Sequence, residues 1–123
     1  MNESLITIGG VYCIAFAVFH LLFWRIFNWN EDLRSLSFLN RAIMQVLNLC
    51  LTIVFILFAY VSLVHTKELL TTPLGNSLLI FISILWFARA AMQPIFFKLK
   101  HWGSIAFFLL FLSGGVLYGI PTL

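Results

Sequence analysis

SLLIFISILWFARAAMQPIFF, Ser77 to Phe97, is the stretch on which the fold turns. It is long enough, at about 1.5 Å per residue, to cross a hydrocarbon core of about 30 Å. Arg89 and Gln93 interrupt it, and no acid within it can neutralise Arg89. The acids of the chain are Glu3, Glu31, Asp32 and Glu68, at the N-terminus or in short polar connectors. A charge inside a membrane segment costs roughly 2.5–3.5 kcal/mol on translocon scales, so Arg89 marks a functional or partner-binding position.

Three further apolar runs flank this one: Leu5–Trp24, Ala42–Val64 and Gly103–Ile120. The chain is 63% hydrophobic and 9% charged, against about 25% charged for a soluble domain. It cannot cover a water-facing surface, and bilayer is its natural solvent. None of the runs alternates with period two, so helices rather than a barrel satisfy the backbone. The fold class expected is all-α, a polytopic integral membrane four-helix bundle. One transmembrane domain spans residues 1–123, with helices at about 5–27, 40–65, 73–98 and 103–121.

Only Met1, Asn2, Glu3 and Ser4 precede the first run, without a positive n-region or cleavage site, so it is expected to remain as a span. Cys13 and Cys50 form neither a disulfide framework nor a metal motif and read as small hydrophobes. In the connectors, Trp29, Leu33 and Leu36 recur at helical spacing, predicting a short interfacial helix. Asn28, Asn30 and Asn76 read as turn residues. Ser37 is a candidate cap for the second helix, and Thr72-Pro73 resembles an N-cap with a first-turn proline for the third. Lys98, Lys100, His101 and Trp102 form an interfacial anchor.

Arg25, Arg34, Arg41, Lys98 and Lys100 fall on the side shared by the first and third connectors, whereas the other side holds Lys67. The basic excess predicts a cytoplasmic location for that side and both termini outside, in a bacterial inner (cytoplasmic) membrane. The net charge of +3 thus reads as membrane orientation, and no basic cluster suits nucleic acid. Correspondence between the first and second helix pairs is too thin, at the residue level, to carry a duplication.

The embedded polar residues share a depth. His20 precedes Arg25, Gln45 and Asn48 follow Arg41, and Arg89 and Gln93 precede Lys98, all within roughly 5–15 Å of the basic edge. Arg41, Gln45, Asn48 and Thr52 share one face of the second helix, as do His20 and Trp24 on the first and Arg89 and Gln93 on the third. Polar faces in lipid turn toward the bundle interior. The expected ligand-binding set is therefore His20, Trp24, Arg41, Gln45, Asn48, Trp86, Arg89 and Gln93, around a cavity open to the cytoplasm. Trp24, Trp86 and Phe96 are expected as its walls. Pro94 lacks an N–H and is expected to free the carbonyl of Ala90 beside Gln93. The opposite half carries small residues at helical spacing, Gly9, Cys13 and Ala17 on one helix and Gly115 and Gly119 on another, which let helices approach closely. The bundle should be tight there and wider at the basic end. Phe107, Phe108 and Phe111 are expected to face lipid or fill the core, without a function.

This inventory excludes much chemistry. A bis-histidine haem lacks a second embedded histidine, and a metal site lacks clustered ligands. No acidic pair or Ser-His-Asp set exists for hydrolysis, and no embedded carboxylate serves proton-coupled export. What remains are amides, an imidazole, a guanidinium and indoles. The best reading is a protein that binds or carries a lipophilic ligand with a polar or anionic head, such as a phospholipid, isoprenoid phosphate or quinone. A membrane-embedded enzyme using His20 as general acid or base is a second reading. A third is an accessory subunit whose polar face meets a partner helix. Partners expected are membrane lipids, a lipophilic small molecule, and a second copy or a partner membrane subunit. The cofactor and any catalytic residue are left undetermined.

Overall fold

A computed structural model describes residues 1–123. The chain is all-α. α1 (Asn2–Leu21), α4 (Phe38–Val64), α6 (Pro73–Met92) and α7 (Trp102–Gly119) are the long helices. Between them lie the short helices α2 (Phe23–Ile26), α3 (Trp29–Asp32) and α5 (Thr66–Thr71). Each long helix, with the wide turn that extends α6 to Phe97 and the tight turn that extends α7 to Thr122, is long and apolar enough to cross a membrane. Their outward faces carry large apolar side chains such as Phe38 (82% exposed) and Phe81 (68% exposed). Such a surface is untenable in water and matches acyl chains, as in an integral membrane protein.

Local signals set the helix ends. Ser37 Oγ accepts from the Asn40 N–H at 3.2 Å, and Thr72 Oγ1 accepts from the Gly75 N–H at 2.9 Å ahead of Pro73. Both are N-caps that satisfy orphan donors of the first turn. Asn28 adopts the left-handed conformation between α2 and α3, a role open to asparagine and costly for most residues. The first helix does not run straight to residue 27. It breaks at Leu22, where the backbone passes through φ −87°, ψ 2°. Two residues earlier the carbonyl of His20 accepts the Asn48 side-chain amide at 2.8 Å. A side chain entering the ladder is a recognised cause of such a break. The expected interfacial helix is also shorter than its spacing suggested, being α3 followed by a tight turn at Leu33–Ser35.

Pro94 widens the chain into a π-type turn over Gln93–Phe97. The carbonyl of Ala90 is not left free, as the missing proline donor had suggested, because the Gln93 N–H bonds to it. π-type turns inside helices frequently accompany functional sites.

α1 is the central helix. It packs along α4 on one side and α7 on the other, while α6 packs along α7 and is tied to α1 through α5. At the end of the bundle that holds the termini, glycines set the spacing. A Cβ on Gly9 would lie 2.7 Å from the Tyr118 ring, and one on Gly10 would lie 2.7 Å from Leu63. Between α6 and α7, a Cβ on Gly114 would lie 2.6 Å from Trp86, and Ser83 Oγ donates to the Gly115 carbonyl at 2.7 Å. Tyr118, fully buried, joins the helices through its hydroxyl, 2.7 Å from Ser62 Oγ and 3.4 Å from Cys13 Sγ. Cys13 thus sits in the interior, whereas Cys50 lies on the outward face.

Where the glycines end, one aromatic ring from each long helix meets at a common level. The Phe16 ring lies 5.1 Å from Trp86, 5.6 Å from Phe111 and 5.8 Å from Phe55, centroid to centroid. Beyond this layer, toward the basic connectors, α1 and α4 separate from α6 and α7 and enclose open space.

The glycine seam makes a stability prediction. Gly114→Val should lower unfolding free energy by about 1–3 kcal/mol through overpacking against Trp86. Leu109→Ala, on the outward face of the same helix, should change it by about 0.5 kcal/mol or less. Reversible unfolding in mixed micelles measures both, and equal effects would mean that α6 and α7 are not packed at this seam.

Candidate functional site

The open space is a cavity of about 710 Å³ lined by all four long helices and their basic-end connectors. That size lies within the range of small-molecule sites, about 300–1,000 Å³. Its inner end is the aromatic layer of Phe16, Phe55, Trp86 and Phe111. Phe19 and Phe107 stack across it at 5.3 Å, and Phe23, Phe27 and Trp29 close the side formed by the first connector. Five polar side chains interrupt this wall: His20, Arg89, Gln93, His101 and Ser104, with His101 Nδ1 accepting from the Gly103 N–H at 3.0 Å.

Arg89 projects from α6 with its guanidinium carbon 4.3 Å above the Phe111 ring and 5.4 Å from that of Phe97. Its Nη1 donates to Gln93 Oε1 at 3.1 Å. Gln93, 4% exposed, donates its amide N–H to Ser104 Oγ at 3.0 Å, and Ser104 donates to the carbonyl of Lys98. The direction of this chain follows from its last member. A carbonyl only accepts, so Ser104 must donate to it and accept from Gln93, which leaves the Gln93 oxygen for Arg89. No carboxylate forms an ion pair with Arg89: the ion pairs of the protein are Arg34–Glu31 at 3.5 Å and His65–Glu68, both in connectors. Two ring contacts of about 0.5–2 kcal/mol each and one hydrogen bond of about 1 kcal/mol offset a burial cost of roughly 2.5–3.5 kcal/mol. The cation is therefore tolerated without being neutralised, and most of its five N–H donors remain unused.

His20 sits across the cavity on α1. Its Nδ1 lies 2.7 Å from Asn48 Oδ1, and the Asn48 amide nitrogen donates to the backbone carbonyl of His20 at 2.8 Å. Asn48 is 6% exposed and stands behind the imidazole rather than in the cavity wall. The ring itself stacks near Phe23 at 4.4 Å and Phe55 at 5.5 Å.

The eight residues expected to share one chamber divide into three groups. His20, Trp86, Arg89 and Gln93 line the cavity. Asn48 supports His20 from the second helix. Trp24, Arg41 and Gln45 are turned elsewhere, a correction to the sequence-based set. Trp24 Nε1 donates to Gln45 Oε1 at 3.0 Å, and Gln45 Nε2 donates to the Arg41 carbonyl at 3.2 Å. Arg41 Nη2 donates to the carbonyl of Leu36 at 3.3 Å. These three brace the α1–α4 connector. Phe96 is 73% exposed and forms no part of the wall. Trp86 is 2% exposed with an indole N–H that meets no oxygen. Its ring meets Tyr12 and Phe16 edge to face, so it acts as a packed wall.

Phe107 and Phe111, expected to face lipid or fill the core, line the cavity, and Phe111 is buried in the core as well. Phe111 supplies the face under Arg89. Ser104 was not singled out at all, and it anchors Gln93. Phe107, Phe111 and Ser104 do carry a signal, since Ser104, Phe107 and Phe111 follow i, i+3, i+7 on one helix face. Comparison with protein families, curated proteins and solved structures finds no match for this chain.

The His20–Asn48 pair predicts a non-additive mutant series. Asn48→Leu alone leaves the imidazole N–H and the His20 carbonyl unpaired and should cost about 1–2 kcal/mol. Adding His20→Phe should recover part of that loss, because two apolar partners replace two polar ones. A double-mutant cycle in mixed micelles reads the coupling, and additive losses would show that the two side chains do not interact.

Proposed function

We propose that this protein binds, and carries or presents, a lipophilic molecule with an anionic head, its apolar body among the aromatic walls and its head at Arg89. The observation that carries this reading is a guanidinium without a carboxylate, held in the wall of a largely apolar, aromatic-rich cavity. Arginine offers planar, bidentate contact to carboxylate or phosphate. Gln93 and Ser104 fix its position before a ligand arrives, which lowers the ordering cost of binding. A low-dielectric wall makes the contact stronger than it would be in water.

The basic connectors orient the molecule in this reading. Arg25, Arg34, Arg41, Lys98 and Lys100 belong to the cavity end, so the cavity opens toward the cytoplasmic leaflet and both termini lie outside. Lys100→Cys should therefore react with a membrane-impermeant maleimide from the cytoplasmic side of intact membranes, and Lys67→Cys from the other. The reverse labelling pattern would invert the topology.

Two occupants could neutralise Arg89: a small amphiphile, or an acid on a partner helix. Native mass spectrometry of the protein extracted with its own lipids separates them, as a bound mass of lipid size or a stoichiometric protein subunit. In phosphatidylcholine nanodiscs, Arg89→Gln should weaken binding of tetradecyl phosphate and tetradecanoate by about 10–100-fold, the loss of a charge-assisted contact of about 1.5–3 kcal/mol. Tetradecanol should be unaffected. Unchanged affinity for both anions would remove the proposal.

A further inference from the structure

His20 adds a second chemical requirement to the same cavity. The Asn48 amide nitrogen reaches a backbone carbonyl, which accepts and cannot donate. The orientation of the amide is thereby assigned, and its oxygen faces the imidazole. An amide oxygen also only accepts, so Nδ1 must carry the proton in that 2.7 Å contact. In the neutral ring the other nitrogen, Nε2, then holds a lone pair. Nε2 meets no donor in the protein, although His20 is part of the cavity wall. The residue is thus a fixed hydrogen-bond acceptor, and Arg89, in the same wall, is a fixed donor. Gln93 and Ser104 are bonded to Arg89, to each other and to Lys98. His101, whose Nδ1 accepts from the Gly103 N–H, offers in the neutral ring only a further donor at Nε2, so His20 Nε2 remains the imidazole acceptor of the wall.

A simple carboxylate or a fully ionised phosphate has acceptors alone. It would satisfy Arg89 and leave the imidazole lone pair facing apolar rings, at the cost of an unmade hydrogen bond. We infer that the ligand is a lipophilic hydroxy acid: an apolar body whose head holds an anionic group for Arg89 and a hydroxyl that donates to His20 Nε2. This inference rests on the reading of the cavity as an anionic-amphiphile site and names the class of head it selects. The hydroxyl lies near the acid, since both protein groups belong to the basic-end half of the cavity, beyond the aromatic layer. Selection by an unpaired polar group is strong in principle, because an analogue lacking the hydroxyl leaves the protein group unsatisfied.

The test uses the full chain in phosphatidylcholine nanodiscs, with calorimetric titration corrected for partition into empty discs. Three probes share a chain length: tetradecanoate, β-hydroxytetradecanoate and β-methoxytetradecanoate. The methoxy acid keeps the oxygen and removes the donor. The wild-type protein should bind the hydroxy acid about tenfold more tightly than either of the others, the factor that ~1.4 kcal/mol makes. His20→Phe combined with Asn48→Leu should abolish that preference, so that the three acids bind within about twofold of one another. Equal binding of all three acids by the wild-type protein, with Arg89 still required, overturns this inference alone. So does a hydroxyl preference that persists in the double variant. Tetradecanoate binding that ignores Arg89→Gln overturns the anionic-site reading and this inference together. Should the double variant fail to insert, the comparison of hydroxy and methoxy acids on the wild-type protein decides by itself.

Discussion

Phe16, Phe55, Trp86 and Phe111 meet at one level of the bundle, one ring from each long helix, and the rest of the molecule is organised by that layer. On the side of the termini, glycines bring backbones close enough that a single methyl group would collide with Tyr118, Leu63 or Trp86. On the basic side, ring next to ring holds the helices apart. In lipid no hydrophobic effect drives helices together, so packing complementarity decides where they touch. A small-residue seam on one side of a bulky layer therefore produces a closed end and an open end. Trp86 links the two, because its ring seats on Gly114 below and walls the cavity above.

The open end must then satisfy its polar groups without a carboxylate. It does so in two separate units. Arg89, Gln93, Ser104 and the Lys98 carbonyl form one directional chain across α6 and α7. His20 and Asn48 form a reciprocal pair across α1 and α4. Arg89 leaves most of its N–H donors, and His20 its Nε2, without a partner in the protein, on two sides of the same space. The two units lie on helix pairs that separate at this depth, so a molecule entering between them meets both. The π-type turn begins at Gln93, whose own backbone stays helical and whose side chain donates to Ser104 on the next helix.

Much of this was legible in the residues. The spans followed from apolar length, the caps at Ser37 and Thr72 from their chemistry, and the close approach at Gly9 and Gly115 from small residues at helical spacing. The cavity membership of His20, Arg89, Gln93 and Trp86 agrees with depth and face. Arg41, Gln45 and Trp24 share the same depth and yet brace a connector. Helical spacing tells which residues share a face. It does not tell which neighbour that face meets, and α4 meets α1 along this line rather than the open space. Phe111 fills the core, one of the two places expected for it, and its further contact with Arg89 was not legible for a related reason. An aromatic in an apolar helix has the same composition whether it faces lipid, core or cation, and only the position of Arg89 on the neighbouring helix makes it a cation's support.

By itself the sequence determined the solvent of this protein, the number of its apolar spans, and the presence of a cation without an acid to match it. Those properties depend on composition and on the fixed rise of a helix, which any arrangement of the spans would share. Tertiary structure alone decided that Arg89 lies over Phe111 rather than in an ion pair, that Asn48 commits the His20 ring to accept, and that the space between them stays open. These depend on which helix lies beside which, and that is settled by the fit of rings against glycines across helices distant in the chain.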